Sequence, residues 1–426
     1  IREMQLKDAS LRGMGKVIAL ENETVPVTAD MILRGINFDQ DLWDSSVVWI
    51  KEKKEEIKLK IAEYAGVPYT PNLFGGVELG INLSSPPQIL KLLQSHGYDD
   101  VTTREGALQL ALESTDSEML EKLIGDVLEW RNWEKMLEFD YPRFVNPVSG
   151  RIHPGWIQVG PATGRYACKQ PNVQQTKRPK EGEPNLRAMF PPPSGYVYVI
   201  ADFGQEEPRI LAQLSGDPRL IEAAQSDDMY LPLAVTVHKR EIDKHSPERY
   251  NMKVGFLASV YGAGPWKLSR ILGITEQEAE EFQALLKSTF PKAFAWGDQQ
   301  LQQVVQKGFT TTVLGRRRLF DLSGYSGKEI SKRFSREARN TPVQGTGADI
   351  LKRAKCMYYR WANDSGYSDS YICISAHDEL VVAAKPDDAE MILFQLTSAM
   401  REAMLEMCPD VKPLVDAGIR DRWGKL

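Results

Sequence analysis

Two apolar runs near the C-terminal end of the chain flank a charged trio. The segment 371–384 is mostly apolar, except for His377, Asp378 and Glu379 in its middle. Runs of this length and composition predict two buried strands joined by a tight hairpin. A second β-rich run, farther toward the N-terminus, ends on Asp202. The pattern therefore predicts carboxylates at two strand ends, at a sheet edge where a carboxylate can stay ionised and bind a metal.

The rest of the pattern is mainly helical. Helices are predicted over 44–65, 84–93, 107–112, 117–139, 207–214, 328–339, 341–361 and 386–407, with more of them within 217–327. Thr102 to Glu105 resembles a capping box, and Trp130 and Trp133 are predicted to be packing residues.

Three segments are predicted not to be helical. Residues 15–20 suggest a strand, and residues 67–85 suggest a loop. Residues 142–193, rich in Pro and Gly, are predicted to be irregular backbone, either shaped around a ligand or simply connecting.

Composition places the chain among ordinary globular proteins of more than one domain. It has 426 residues, of which 42% are hydrophobic and 26% charged, and this length predicts two or three domains. No run of about 18 apolar residues is present, so no membrane span is expected. Four scattered cysteines predict reduced thiols in a cytosolic protein. The chain begins with neither a signal peptide nor a natural start, and we expect it to be a fragment.

The net charge of −5 disfavours indiscriminate binding to polyanions but allows a local basic groove. Basic residues form two clusters, Arg165, Lys169, Lys177, Arg178, Lys180 and Arg187, and Arg316, Arg317, Arg318, Lys328, Lys332, Arg333, Arg336 and Arg339. Each cluster alone is typical of a solvated face. Both flank the predicted strand-end carboxylates in the sequence, which favours a nucleic-acid track.

Two aspartates at adjacent strand ends are what a two-metal phosphoryl-transfer site needs. A second candidate lies at residues 249–262, where Arg249, Lys253, Leu257 and Tyr261 recur every four residues. On a helix they share one broad face, which could hold a triphosphate at one end and a base at the other. Spacing alone slightly favours the alternative, a surface helix with one packed aromatic.

Together these motifs resemble the family-A (DNA polymerase I-like) DNA polymerases. Residues 202–209 resemble their motif A, 249–262 motif B, and 377–379 motif C. Further family signatures are matched, in the expected order, by Thr163-Gly-Arg165, Pro171-Asn172-Val-Gln174, Gly315-Arg-Arg-Arg318 and Asn340-Thr-Pro-Val-Gln344-Gly-Thr. The resemblance runs from about residue 36 to the end. Leucine at position 257 suggests a bacteriophage or prophage origin.

The resemblance implies an α+β fold, the right-hand polymerase fold, with an antiparallel palm sheet, helical fingers and a helical thumb. The predicted division is an N-terminal remnant (1–40), thumb (41–140), first part of the palm (141–216), fingers (217–338, with the motif B helix at 247–262) and second part of the palm (339–426).

By the same resemblance, Asp202 and Asp378 are expected to bind two Mg²⁺ ions, which Mn²⁺ can replace, with help from the backbone carbonyl of Phe203. Glu379 is the weaker ligand candidate and is counted among the catalytic residues. One ion would lower the pKa of the primer 3′-hydroxyl, and the other would hold the triphosphate and stabilise the leaving pyrophosphate. His377 would contact the primer end. Because it is a lone histidine, a purely structural role is an equal alternative.

The nucleotide site implied by the resemblance lies around motifs A and B. Lys253 would contact the incoming phosphates and supply a proton to the pyrophosphate, and Arg249 would bind the γ-phosphate. Tyr261 would stack on the nascent pair, and Glu207 would be a steric gate that occupies the space of a ribose 2′-hydroxyl. The implied dNTP-binding set is completed by Gln205, Tyr230 and Leu257.

The implied DNA-binding residues are Arg165, Asn172, Gln174, Arg336, Asn340, Gln344 and His377. Arg165, Asn340 and Gln344 would read minor-groove acceptors, which all Watson–Crick pairs present in a similar way. Arg336 is a candidate template-backbone contact.

Three positions depart from the family pattern. Leu257 stands where Phe or Tyr is usual, which puts discrimination at the sugar 3′ position in doubt. Tyr230 replaces a histidine expected near the β-phosphate and cannot carry its charge. Pro208 replaces a plain apolar residue, and in the first turn of a helix we expect it to be tolerated.

The predicted function is template-directed DNA synthesis by a cytoplasmic monomer, in a bacterial or phage-infected cell, with DNA primer–template and dNTPs as its partners. No proofreading is expected from this chain. The alternatives are a catalytically inactive scaffold that binds primer–template junctions and a single-subunit RNA polymerase. Glu207 and the lack of room for a promoter-binding domain argue against the RNA polymerase.

Overall fold

A computed structural model describes residues 13–72, 76–115, 117–179 and 182–424. The chain forms two compact units. The first contains the described residues up to Phe38, then Val145–Arg178 and the chain from Phe190 onward. The second contains Asp39–Phe144 and Pro179–Met189. Lys180 of the first basic cluster lies outside the described residues.

The second unit is helical. Its helices are α2 (Gln40–Ala65), α3 (Pro86–Gln94), α4 (Glu105–Ser114) and α5 (Glu118–Leu137), with a small hairpin of β1 (Tyr69–Pro71) and β2 (Val77–Leu79) and 3-10 turns at Tyr141–Phe144 and Leu186–Met189. The side chains of Asp39 and Ser117 cap α2 and α5 by accepting from backbone N–H groups. Trp130 and Trp133 are buried, which confirms their predicted packing role.

Two sequence predictions for this unit need correction. The capping box at Thr102–Glu105 does not form, because Arg104 occupies the N-cap of α4. The Thr102 hydroxyl accepts from the Arg104 N–H at 3.3 Å instead. The predicted loop 67–85 contains the β1–β2 hairpin.

A four-stranded antiparallel sheet lies in the first unit, in the order β10-β5-β9-β8. Its strands are β5 (Val197–Phe203), β8 (Tyr371–Ala376), β9 (Glu379–Ala384) and β10 (Val415–Arg420). Every residue of β8 and β9 is buried, which explains their continuous apolar sequence. The predicted hairpin is thus confirmed, as is the adjacency of the two carboxylate strands. The sequence analysis missed β10, an edge strand whose polar residues mask its pattern.

Residues 15–20 are not a strand, as the sequence suggested, but the start of helix α1 (Gly15–Arg34). Its buried residues recur at helical spacing and pack against the long helix α13 (Gly327–Asp364). A short apolar run cannot by itself distinguish a strand from a helix.

Helices fill the segment between β5 and β8, as predicted. They are α6 (Glu206–Ser215), α7 (Pro218–Ala223), α8 (Tyr230–His238), α9 (Pro247–Val260), α10 (Pro265–Leu272), α11 (Glu276–Thr289), α12 (Pro291–Lys307) and α13. A hairpin of β6 (Phe309–Thr311) and β7 (Arg317–Leu319) separates α12 from α13. The remaining elements are the β3–β4 hairpin (Gly155–Ile157 and Ala167–Lys169), 3-10 turns at Val173–Gln175 and Pro386–Asp388, and α14 (Ala389–Met407).

Helix α13 is one helix of 38 residues, although two helices separated near Pro342 were predicted. Proline removes one helical hydrogen bond and normally ends or kinks a helix. Here α13 packs against α1, α12 and α14 along its length, and this packing outweighs the local preference. The boundary predicted between fingers and palm, at 338/339, therefore falls inside a continuous helix.

A cluster of buried charges joins α1, the β6–β7 hairpin and α13. Arg316 donates to Asp349 at 2.8 Å, and Thr312 donates to the other oxygen of that carboxylate at 2.7 Å. Glu21 accepts from Lys352 at 2.6 Å and also pairs with Arg316. Burial raises the pKa of Asp349, and the Arg316 guanidinium opposes this rise. The pairing therefore offsets part of the desolvation of these charges, and losing Asp349 leaves Arg316 with Glu21 as its remaining counter-charge.

We expect Asp349→Asn to destabilise the protein by about 1.5–3 kcal/mol, because Arg316 would lose one of its two counter-charges and keep only Glu21. Asp298→Asn is the matched control. Asp298 also pairs with an arginine, Arg339, but its side chain is 73% exposed, so the cost should be about 0–1 kcal/mol. Urea unfolding midpoints measure both, and equal losses would contradict the assigned role of the cluster.

Candidate active site

The two predicted strand ends meet at one edge of the sheet. Asp202 is the penultimate residue of β5, and Asp378 lies in the two-residue turn between β8 and β9. The β5–β9 pairing places Asp202 directly opposite Glu379. The Phe203 N–H donates to the Asp378 carbonyl at 3.3 Å, which ties the end of β5 to the turn. His377, the other turn residue, has φ +59°, a conformation that costs energy for any residue except glycine.

The electrostatics of the Asp202 and Asp378 carboxyls favour binding a cation. Burial, followed by the negative charge of Asp378, raises the pKa of Asp202, and burial raises that of Asp378. One carboxyl oxygen of Asp202, Oδ1, is buried and has no hydrogen-bond partner among the described residues. An orphaned buried oxygen beside a second carboxyl fits a bound divalent cation. Within the described part of the chain, no three acidic, histidine or cysteine side chains form a ready metal cluster.

Two side chains from other segments hold this acidic edge together. The Arg178 guanidinium lies 3.2 Å from Asp202 Oδ2 and 3.5 Å from Glu379 Oε2. The Trp423 indole N–H donates to Glu379 Oε1 at 2.8 Å. The sequence analysis placed Arg178 only in a basic cluster and did not find Trp423, because neither contact follows from local spacing.

The turn after β5 positions Gln205 and Glu207. Gln205 has φ +53°, which turns the chain sharply from strand into helix α6. Its side-chain oxygen accepts from the Met229 N–H at 2.8 Å. Glu207, in the first turn of α6, accepts from Arg165 at 2.9 Å. Pro208 is the third residue of α6, where an N–H has no helical partner to lose, so the structure accommodates it as expected.

Helix α9 carries three of the four residues of the predicted phosphate-and-base face, and the fourth, Tyr261, caps its C-terminal end. Arg249 makes two hydrogen bonds to Asp228, at 3.0 and 3.1 Å, and lies 5.7 Å from the centre of the Tyr230 ring. Lys253 is exposed, Leu257 is half-buried, and Tyr261 is buried just after the helix ends.

Tyr230 and Tyr261 both lie near Glu207. Burial, then the charge of Glu207, raises the pKa of Tyr230 to about 12 and that of Tyr261 well above its usual value. The structure thus brings two of the predicted nucleotide-site residues, Tyr230 and Tyr261, close to a third, the carboxylate of Glu207.

A cavity of about 210 Å³ collects several predicted DNA-binding residues. Its lining includes Arg165, Asn172, Gln174 and His377. Asn172 Oδ1 accepts from the Gln174 N–H, and the Gln174 side chain donates to the Ser375 carbonyl of β8 at 3.0 Å. These bonds connect the segment 172–174, just after the β3–β4 hairpin, to the sheet.

Arg336, Asn340 and Gln344 do not line this cavity. They follow one another at four-residue spacing along α13, so they share one face of that helix. The side-chain oxygen of Asn340 is buried without a hydrogen-bond partner among the described residues.

Glu206 is a cavity residue that the sequence analysis missed. It is only 7% exposed, and its Oε1 has no hydrogen-bond partner in the described structure. A Cβ atom on Gly347 would come within 2.7 Å of the other oxygen, so a larger residue there would have to displace the Glu206 carboxyl. Burial, then the charge of Asp378, raises the pKa of Glu206 to about 8. An acidic residue in the first turn of a helix is normally solvated, so no local signal distinguishes it.

The chain is similar to several known proteins. Residues 50–425 match the model of the DNA polymerase family A. The chain is 31% identical to DNA polymerase I of Chloroflexus aurantiacus, covering 96% of this chain and 43% of that protein. It is 29% identical to DNA polymerase I of Pseudomonas aeruginosa, covering 95% and 44%. The chain thus spans less than half the length of these relatives.

A solved structure is also similar, the POL domain of Pol1 from M. smegmatis in complex with DNA primer-template and dNTP. It matches with a TM-score of 0.84 and 26% identity, over 98% of this chain and 72% of that one. The fold is therefore the α+β, right-hand polymerase fold, and the predicted fold class is confirmed. The chain belongs to the DNA polymerase family A. Among the described residues, no helix is long and apolar enough to cross a membrane.

We expect Glu206→Met to stabilise the metal-free protein by about 1–3 kcal/mol at pH 8 and above, because it removes a buried, unpaired carboxylate. The pKa of Glu206 rises on folding from 4.5 to about 8, so the folded state holds the proton more tightly. Wild-type stability should therefore fall relative to the variant as the pH rises from about 4.5 to 8.

Thermal unfolding in EDTA across that pH range measures the difference between the two proteins. Glu222→Met, at an exposed position of α7, is the control and should show no such pH trend. A pH-independent difference for Glu206→Met would contradict the burial of an ionisable carboxyl.

Proposed function

We propose that this chain catalyses template-directed DNA synthesis, transferring a nucleotide from a dNTP to a primer 3′-hydroxyl by a two-metal mechanism. The observation that carries the proposal is the meeting of Asp202 and Asp378 at one sheet edge, with a buried carboxyl oxygen left unpaired. Family membership supports it, as does the similar fold of a polymerase domain described in complex with primer-template and dNTP. The proposed activity is DNA synthesis and does not include proofreading.

Asp202, Asp378 and the backbone carbonyl of Phe203 would hold two Mg²⁺ ions, for which Mn²⁺ can substitute. Bound there, the ions would supply Lewis-acid activation of the 3′-hydroxyl and charge stabilisation of the pyrophosphate. The tie between Phe203 and Asp378 fixes these donors relative to each other before any ligand binds. Such preorganisation lowers the cost of assembling the site during the reaction.

Helix α9 would bind the triphosphate. Lys253 is exposed and free to contact phosphate oxygens and to donate a proton to the leaving pyrophosphate. Arg249 is held by Asp228 in a defined orientation, which suits a cation that meets the γ-phosphate. Leu257 and Tyr261 follow on the same face toward the base. Tyr230 and Gln205 complete the nucleotide site from α8 and the β5–α6 turn.

Primer and template would be held by residues of the cavity and of α13. Arg165, Asn172, Gln174 and His377 line the cavity beside the carboxylates. From α13, Arg336, Asn340 and Gln344 would contribute along a single helix face. Contacts of this kind read backbone and minor groove, so synthesis is expected without sequence preference.

The helical unit supports a proposal for the domain division. We propose that the helical unit Asp39–Phe144 corresponds to the thumb. The sheet would be the palm, and the helices between Asp217 and α13 the fingers. We further propose that the protein acts as a monomer in the cytoplasm, with DNA and dNTPs as its partners.

We expect Asp202→Asn and Asp378→Asn each to reduce primer extension by about 1,000-fold, because each removes a charge that faces the reacting phosphate. The Kd for primer–template should stay near the wild-type value. Asp416→Asn is the control. Asp416 pairs directly with Asp202 from β10 but is exposed, so extension should be retained. Extension of a labelled primer with Mg²⁺ and four dNTPs, with an EDTA blank, measures the rates.

Wild-type protein that binds primer–template but releases no pyrophosphate would instead favour the inactive scaffold. Equal loss of DNA binding and extension in both aspartate variants would assign these residues to folding rather than to chemistry.

Glu207→Ala is expected to raise the ratio of ribonucleotide to deoxyribonucleotide incorporation about 10–100-fold, because it empties the space of the 2′-hydroxyl. Glu207→Gln keeps the side-chain volume and serves as the matched control. Single-nucleotide extension with competing rNTP and dNTP gives the ratio. A steric gate predicts loss of discrimination in the alanine variant only. Equal loss in both variants would show that the charge of Glu207 and its pairing with Arg165, rather than its bulk, exclude ribose.

A further inference from the structure

The last strand of the sheet leads into a buried tryptophan that reaches the acidic edge. Trp423 follows β10 and is fully buried, with 0% of its surface exposed. Its ring lies 6.0 Å from that of Phe190, centre to centre. Its indole N–H donates to Glu379 Oε1 at 2.8 Å. A buried indole needs a hydrogen-bond acceptor, and here that acceptor is a carboxylate of the candidate active site.

Glu379 is held through both of its oxygens. Its side chain is only 2% exposed. While Oε1 accepts from Trp423, Oε2 lies 3.5 Å from the same Arg178 nitrogen that is 3.2 Å from Asp202 Oδ2. A single positively charged nitrogen therefore already lies between Glu379 and Asp202. The space between these two carboxylates is suited to positive charge.

Without the contacts from Trp423 and Arg178, the close approach of the Glu379 and Asp202 carboxylates would be unfavourable. Asp202 and Glu379 stand directly opposite each other on β5 and β9, and like charges at such positions repel. A carboxylate with one free torsion would rotate to reduce that repulsion. The indole donor fixes the rotation, because a charge-assisted hydrogen bond to Oε1 determines where Oε2 points.

We infer that Trp423 is a positioning residue for the metal site, holding Glu379 so that its second oxygen faces the cation bound by Asp202. This inference rests on the proposed two-metal function. It makes the segment after β10 part of the active site and gives Glu379 a defined contribution beside Asp202 and Asp378. Residues that orient metal-binding carboxylates by hydrogen bonds typically affect metal affinity strongly when removed.

The first test measures Mn²⁺ binding to the free protein, by the EPR signal of unbound Mn²⁺, without DNA or dNTP. Trp423→Phe keeps the ring and removes the donor. We expect its Kd for Mn²⁺ to rise about tenfold. Trp133→Phe is the matched control, since Trp133 is also buried and donates to a glutamate, Glu129, at 3.3 Å, but in the other unit. Its Kd should equal that of the wild type.

A double-mutant cycle tests whether the effect passes through Glu379. In a Glu379→Ala background, Trp423→Phe should cause no further change in Mn²⁺ affinity. A tenfold effect that persists in that background would overturn the inference, as would wild-type affinity in Trp423→Phe itself. A loss of thermal stability without a change in the Kd for Mn²⁺ would assign Trp423 to packing alone.

Should Trp423→Phe fail to fold, the contact can be observed in the wild-type chain. The protein has nine tryptophans, and ¹⁵N-tryptophan labelling resolves their indole N–H signals by NMR. Glu379→Gln should shift a single indole signal strongly, because it removes the charged acceptor. If Glu379→Gln left every indole signal unshifted, the inference would be overturned. The Mn²⁺-binding and NMR measurements use protein without DNA or dNTP. If the wild type failed to extend a primer, the proposed function would be wrong, but these measurements would still test the contact between Trp423 and Glu379.

Discussion

The antiparallel pairing of β5 with β9 is the constraint on which the site depends. It joins two segments that are far apart in the sequence and places Asp202 opposite Glu379, next to the Asp378 turn. Both strands are almost fully buried, so hydrophobic packing of the sheet provides the free energy that brings the carboxylates together. A register slip of one residue would turn Asp202 to the opposite face of the sheet. The core therefore sets the geometry of the chemistry.

Bringing three acidic side chains to one edge has a cost, and the surrounding residues reduce it. Arg178 shares its charge between two carboxylates, and Trp423 fixes the orientation of one of them. Glu206, close by, is compensated only in part by the charge of Arg165, and burial raises its pKa. A divalent cation bound among these carboxylates would compensate their negative charge. Perturbed carboxyls of this kind are common where charge is used for catalysis.

Much of the fold and site could be predicted because it depends on local pattern. Buried strands are continuously apolar, so the hairpin with its acidic tip and the run ending on Asp202 were visible in the sequence. The four-residue spacing from Arg249 to Tyr261 reflects helix α9, which carries the first three of these residues and ends just before Tyr261. Features that depend on distant contacts were not accessible. Helix α13 continues through Pro342 because α1, α12 and α14 pack on it, and the hydrogen bond from Trp423 to Glu379 exists only after β10 joins the sheet.

We propose that Asp202 and Asp378 together hold the metal ions that serve nucleotide transfer. The most direct measurement is anomalous diffraction at the manganese edge. It would use crystals of the protein with Mn²⁺, a primer–template whose primer lacks its 3′-hydroxyl, and the matching dNTP. The account predicts two manganese peaks bound by the carboxylates of Asp202 and Asp378, with the nucleotide phosphates beside them. A bound dNTP with its manganese elsewhere, and none at these two carboxylates, would contradict it.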